Sequence, residues 1–283
     1  MLNEARSGSS WLQEMSASHP GIKVQFELDL RLGDAALACK RCDRPDVPDS
    51  KRASAGGAPT PPKLHPPAAC GMTAFGSANA FSAVADLAAR RGAALVVLLR
   101  LNHVAHAVSS YRHFNWPRPA WLDAAQLARA VEEARQANAR LEAFPARTGR
   151  PAHLIFYEDM KRRPAAVWAA LQRFLGLPAA AASAAEDDAL RLLERRASDR
   201  PAIHYLANLT GLQAELGAAD WGDMLLDPDY DAAVNATEAF ERVCRLHPAA
   251  EMSWRAHACV DGALRPLEGW EDEDGAVDSE AQQ

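Results

Sequence analysis

Long apolar runs are missing from this chain. No stretch of 18 or more apolar residues occurs, and the alanine-rich segments are interrupted by Arg, Glu and Asp, which excludes a membrane-spanning helix and predicts a soluble chain. Met1–Ser10 lacks a basic flank followed by an apolar core, so no secretory signal is readable. Cysteine is scarce: five in 283 residues are too few for a disulfide scaffold, and a hydrophobic core has to supply the stability. A basic excess is also absent. The formal charge is −6, and residues 271–283 hold six acids (Glu271, Asp272, Glu273, Asp274, Asp278, Glu280) and no base, which leaves a neutral body. Such a body can gather Lys and Arg in one pocket but does not offer the broad positive face that duplex nucleic acid requires, so no nucleic-acid partner is expected.

What is present is an ordinary globular composition, 48% hydrophobic against 24% charged. A helical stretch from Trp11 is followed by the break His19-Pro20-Gly21 and an alternating run Ile22–Leu28, which predicts helix then strand. Residues 43–69 are rich in Pro, Ser, Ala and Gly without periodicity, and are expected to form a disordered insertion. After a helical segment at Ala80–Arg91, the apolar run Ala94–Leu99 fits a strand buried on both faces. A long helix is predicted over Trp121–Phe144, stopped by Pro145, and a second buried strand over His153–Tyr157. Pro164 opens the next helix, which Gly176 and Pro178 end. Strands alternating with helices imply an α/β domain, a parallel sheet flanked by helices. We expect one domain over 1–267, mainly helical in its last hundred residues, and an acidic disordered tail over 268–283.

The segment Arg6-Ser7-Gly8-Ser9-Ser10-Trp11-Leu12 combines a cation, a glycine that lets backbone approach a ligand, two hydroxyls and the start of a helix. Exposed N–H groups and the macrodipole at a helix start favour an anion, so these are the parts of a phosphate cradle, although a Ser-Gly-Ser turn also serves simply as a helix cap. The GxxxxGK(S/T) spacing of nucleoside-triphosphate loops is missing. Further along, Arg100 stands at the carboxyl mouth of a predicted strand, where open α/β sheets bind ligands, and Ser109 follows nine residues later in the next helix. A guanidinium and a hydroxyl delivered in this way can grip one phosphate from two sides.

These residues resemble the sulfotransferase family that uses 3'-phosphoadenosine 5'-phosphosulfate (PAPS) as donor. Arg6–Leu12 is similar to its first motif and Arg100–Tyr111 to its second. Leu154–Met160, with Pro164 and Phe174-Leu175-Gly176-Leu177-Pro178, is similar to its strand–YED–helix–FLG segment. The resemblance implies a P-loop-like sulfotransferase fold in which Arg6, Ser7, Gly8, Ser9 and Ser10 hold the 5'-phosphosulfate and Arg100 and Ser109 the 3'-phosphate, with Trp11 and Tyr157 bordering the adenine. For Trp11 and Tyr157, simple core packing is the competing explanation. The family's 3'-phosphate Arg often lies eight residues before the Ser, where this chain has Leu101. Members with an Arg pair there match Arg100 instead. The glycine-rich basic loop of the cytosolic members has no counterpart, and Tyr205-Leu206-Ala207-Asn208-Leu209 resembles the helical region of carbohydrate and bacterial-type members.

The resemblance implies in-line transfer of a sulfuryl group from PAPS to an acceptor hydroxyl, on a carbohydrate rather than a small phenol. Glu27, after the His19-Pro20-Gly21 break, is the expected general base and Arg6 the residue that stabilises the bridging oxygen; otherwise Glu27 is an exposed strand residue. No metal is required. His103 and His106 lack a third ligand nearby and are expected on a helix surface. Cys39, Cys42 and Cys70 stay open between free thiols, a disulfide and a zinc site with His65. The sequons at Asn208 and Asn235 carry little weight. The expected compartment is the Golgi lumen if a longer precursor supplies an anchor, and the cytoplasm otherwise. Two other functions fit an α/β anion cradle: a kinase-like nucleotide phosphotransferase, disfavoured by the missing Walker Lys, and a non-catalytic binding protein of the same fold.

Overall fold

The structure, a computed structural model, describes residues 2–3, 9–19, 22–29, 69–75, 89–90, 93–115, 121–177, 191, 202–227, 229–230 and 234–268. The elements run β1 (Leu2–Asn3), α1 (Ser9–Ser18), β2 (Ile22–Asp29), β3 (Ala69–Phe75), β4 (Leu95–Leu99), α2 (His103–Asn115), α3 (Ala124–Glu142), α4 (Phe144–Thr148) and β5 (Ala152–Phe156). They continue with α5 (Tyr157–Arg162), α6 (Pro164–Phe174), a 3-10 turn at Ala202–Tyr205, α7 (Leu209–Leu216), α8 (Asp223–Leu226), α9 (Ala236–Leu246), β6 (Met252–Trp254), β7 (His257–Val260) and β8 (Ala263–Pro266). The strands form one open sheet in the order β2-β3-β1-β4-β5-β6-β7-β8. From β2 to β6 all neighbours are parallel, and β7 and β8 are added antiparallel.

Burial follows the pleat. In β4, Leu95, Val97 and Leu99 join Leu154 and Phe156 of β5 and the buried faces of α4 and α9, while Leu98 and Ile155 join Trp11, Leu12, Met15, Val167, Trp168 and Leu171 from α1 and α6. Alternate side chains of a strand point to opposite faces, so an uninterrupted apolar run needs a helical layer on each side. The fold is therefore α/β with helices on both faces of a mixed sheet. A third cluster, built from Val104, Val108, Leu127, Val131, Leu206 and Leu212, locks α2 against α3, the 3-10 turn and α7.

Local signals hold where chemistry enforces them. Asp123 caps α3 in a reciprocal capping box with Gln126. Gly176 ends α6 at φ 66°, with Leu177 N–H on the Gln172 carbonyl and Gly176 N–H on that of Arg173, the Schellman pattern.

Three expectations are corrected. Pro145 lies in the first turn of α4, where a missing N–H costs nothing, so the chain turns and continues as a further helix. Tyr157 opens α5 rather than ending β5. The sheet is mixed, because the C-terminal part carries a three-stranded meander where helix was expected. Its turns are two residues long: Arg255-Ala256, with Arg255 at φ 45°, and Asp261-Gly262, with both residues at positive φ. An Asp-Gly pair is the strongest short hairpin signal a sequence carries, and short flanking strands hid it. A feature that no expectation covered is a disulfide joining Cys244 of α9 to Cys259 of β7, which fastens the meander to the helix beneath it. Of the insertion expected over 43–69, residues 43–68 lie outside the described residues and Ala69 opens β3; the tail from 269, Cys39, Cys42 and His65 also lie outside them. Cys70 lies in β3.

Candidate functional site

In the parallel part of the sheet every carboxyl end lies on one edge. From β1 the chain passes through α1 to β2, beyond β3, whereas from β4 it passes to β5 on the opposite side. Connections that diverge from adjacent strands leave a crevice at their carboxyl ends, the usual ligand position in open α/β sheets. Here the crevice lies between β1 and β4, whose register pairs Leu2 with Val97 and Asn3 with Leu98.

Arg100 follows β4 directly. The alternation of extended backbone runs on past the strand, so Leu99 and Leu101 enter the apolar core under α9 while Arg100 turns with Leu98 towards α1 and α6. Leu101 is therefore part of the core, and the Arg100 guanidinium lies over Tyr157 at the carboxyl edge of the sheet. Its guanidinium carbon lies 4.3 Å from the centroid of the Tyr157 ring, and the Trp11 and Tyr157 rings stand 5.7 Å apart. The Lys161 ammonium is 6.0 Å from the same Tyr157 ring. Arg100 is only 4% exposed. A guanidinium screened from water in an aromatic setting forms stronger charge-assisted bonds to an anion than an exposed one.

The backbone around Arg100 is fixed by side chains from two helices, α3 and α5. Asn138 of α3, itself buried, accepts from the Arg100 N–H at 3.5 Å through Oδ1 and donates through Nδ2 to the Arg100 carbonyl. His103 opens α2 beside this turn; burial first, then Arg135 and Arg242, lower its pKa to about 4. The Asn102 N–H donates to Glu158 Oε1 at 2.9 Å, and Asn102 Oδ1 caps α2 by accepting from the Ala105 N–H at 2.8 Å.

Tyr157, Glu158 and Asp159 open α5, and at 100° per residue they point three ways. Tyr157 meets Trp11 and Arg100, and Glu158 holds the turn after β4. Asp159 pairs with Arg255 at 3.4 Å, which ties the end of β5 to the meander. Burial pushes the Asp159 carboxyl upward, against the pull of Arg255.

Of the residues singled out in the sequence, Trp11, Arg100 and Tyr157 come together. Trp11 also belongs to the core cluster, so packing and site-lining are one position. Ser109 is half-buried further along α2, about 9 Å of helical rise beyond His103. Ser9 and Ser10 form the first residues of α1. Arg6, Ser7 and Gly8 lie outside the described residues. Glu27 lies near the carboxyl end of β2, on the crevice edge of the sheet, where the β2–β3 register shifts between Gln25 and Leu28. Of its side chain nothing is described.

His103 and His106 do not form the expected helix surface: His106 is buried and His103 largely so. Among the described residues no group of three or more His, Cys, Asp or Glu is placed to hold a metal, and no helix is long and apolar enough to cross a membrane. Both sequon asparagines have structural work: Asn208 donates to the Leu122 carbonyl at 2.8 Å, and Asn235 caps α9.

A cavity of about 480 Å³ opens at the amino ends of β5 and β6, lined among others by His153, Phe174, Ser253 and Arg255; it lies away from the crevice. Asn138 and Glu158 escaped sequence reasoning as site residues. A lone polar residue on the inner face of a long helix was the available signal for Asn138. No protein-family model matches the chain, and no curated protein matches it.

Proposed function

We propose that this protein is a PAPS-dependent sulfotransferase acting on an acceptor hydroxyl, that of a carbohydrate. The observation that carries this is the buried Arg100 guanidinium at the carboxyl end of β4, set over Tyr157, whose ring in turn stands beside Trp11. The strand beside it, β1, leads directly into the segment that contains the Arg6 turn. In the sequence Arg6 is three residues beyond Asn3, and Arg100 is two beyond Leu98, the register partner of Asn3.

Arg100 and Ser109 hold the 3'-phosphate, Trp11 and Tyr157 border the adenine, and the Arg6–Ser10 turn holds the 5'-phosphosulfate. The acceptor oxygen attacks sulfur in line. The sulfur bond to the bridging phosphate oxygen breaks, Glu27 takes the acceptor proton, and Arg6 meets the charge that develops on the leaving phosphate. From β4 to β2 the edge crosses three interstrand spacings, about 14 Å, a span suited to a nucleotide held at one end and reacting at the other.

The test is thermal shift with adenosine 3',5'-bisphosphate against ATP with Mg²⁺, followed by transfer of labelled sulfate from PAPS to a glycan and peptide panel. Bisphosphate at 100 times its Kd stabilises by about 2.7 kcal/mol. Arg100→Ala abolishes that shift, whereas Glu27→Gln keeps it and loses turnover. A shift with ATP alone points to a phosphotransferase, and bisphosphate binding without transfer to any acceptor points to a binding protein. Unchanged turnover in Glu27→Gln removes Glu27 as base.

A further inference from the structure

We propose that Asn138 is a positioning residue for the anion-binding cation: its side-chain amide clasps the backbone of Arg100 and thereby sets where the guanidinium points. β4 ends at Leu99, and its register with β5 ends at the pair Leu99 and Phe156, so the peptide groups of Arg100 lie just past the last ladder contact. A polar backbone group buried there needs a partner. Asn138 offers both halves of one: Oδ1 accepts from the Arg100 N–H and Nδ2 donates to the Arg100 carbonyl. The amide takes the place that a neighbouring strand would occupy.

The consequence is directional. Whether the side chain after Leu99 faces the crevice or the core under α9 depends on the strand-like alternation continuing through residue 100. Asn138 holds that extra residue extended, with Glu158 fixing the following turn through Asn102. Loss of the clasp removes both of these hydrogen bonds from the residue whose guanidinium lies over Tyr157. Asn138 touches no ligand in this scheme. It acts through Arg100, and its role rests on the reading above that Arg100 holds a nucleotide phosphate.

The test uses the full chain and two variants of α3. Asn138→Leu keeps the γ-branched shape and the number of heavy atoms and removes both polar groups; Asn138→Ser replaces it where the bulkier leucine variant does not fold. Leu127→Ala, on the same helix but buried against α2, is the control for destabilisation alone. Amide hydrogen exchange at Arg100 reports the clasp without any ligand, and titration with adenosine 3',5'-bisphosphate reports its use. The expected result is faster exchange at Arg100 and at least tenfold weaker bisphosphate binding in the Asn138 variant. Leu127→Ala lowers Tm but leaves both quantities at wild-type values. Unchanged exchange at Arg100 overturns the clasp. Unchanged affinity in a folded Asn138 variant, or equal weakening in Leu127→Ala, overturns the positioning role. Wild-type protein that binds no bisphosphate sinks the functional reading and this role together, and exchange at Arg100 then shows the clasp to be structural only.

Discussion

Acid should unfold this protein partly through His153. Its imidazole is wholly buried in β5, stacked on Phe174 at 5.2 Å, with Nδ1 2.9 Å from the Ser253 hydroxyl. Burial lowers its pKa from 6.5 to about 3. The unfolded chain therefore binds a proton near pH 6.5 that the folded protein refuses until about pH 3, so in this window the unfolded state holds more protons and stability rises with pH. The contribution is complete above pH 6.5 and falls by about 1.4 kcal/mol per pH unit below it, about 2 kcal/mol by pH 5. His103, lowered to about 4, adds a loss of the same sign. The upward-shifted carboxyls of Asp159 and Glu142 act with the opposite sign. Comparison of wild type with His153→Gln cancels those other groups. Urea midpoints measured from pH 8 to pH 5 should show the variant less pH-dependent by that slope, whatever its stability at pH 8. Parallel curves would mean that His153 is protonated in the folded protein, and the burial argument would be wrong.

Reduction of the Cys244–Cys259 bridge, or the double Cys→Ala variant, should lower stability by about 3 kcal/mol, the loop-closure term for a separation of 15 residues. Denaturant midpoints with and without reductant measure it, and identical midpoints would mean the bridge does not form. Gly262→Ala and Gly176→Ala should each cost about 1–2 kcal/mol for the left-handed backbone. Gly262 should cost more, because a Cβ there comes within 3.1 Å of Pro248 whereas one at Gly176 meets nothing within 4 Å. Equal melting temperatures for the two variants would contradict that packing.

Much of the scaffold is legible without coordinates because its elements are strongly patterned. The run Leu95–Leu99 has to be a strand buried on both faces, and the spacing of Leu127, Val131, Ala134 and Leu141 makes α3 amphipathic. Gly176 marks its helix end by conformation alone. The C-terminal meander was less visible: strands of three or four residues are too short to show a period, and only Asp261-Gly262 announced it. The disulfide was hidden for a related reason, since pairing Cys244 with Cys259 requires knowing that the chain folds back over α9.

The site divides in the same way. The residue types for anion binding, an Arg at a strand end and a Ser-Gly-Ser turn before a helix, are readable because their chemistry is local. Arg100 stands out by its place at the strand end, but the direction in which its side chain turns was not readable. That depends on the pleat continuing one residue past the ladder, and on Asn138, 38 residues away, holding it there. The apolar pattern of the chain by itself determined an α/β sheet covered on both faces. Only the tertiary structure decided that β1 and β4 lie side by side with diverging connections, because strand order arises from long-range pairing that no local pattern encodes.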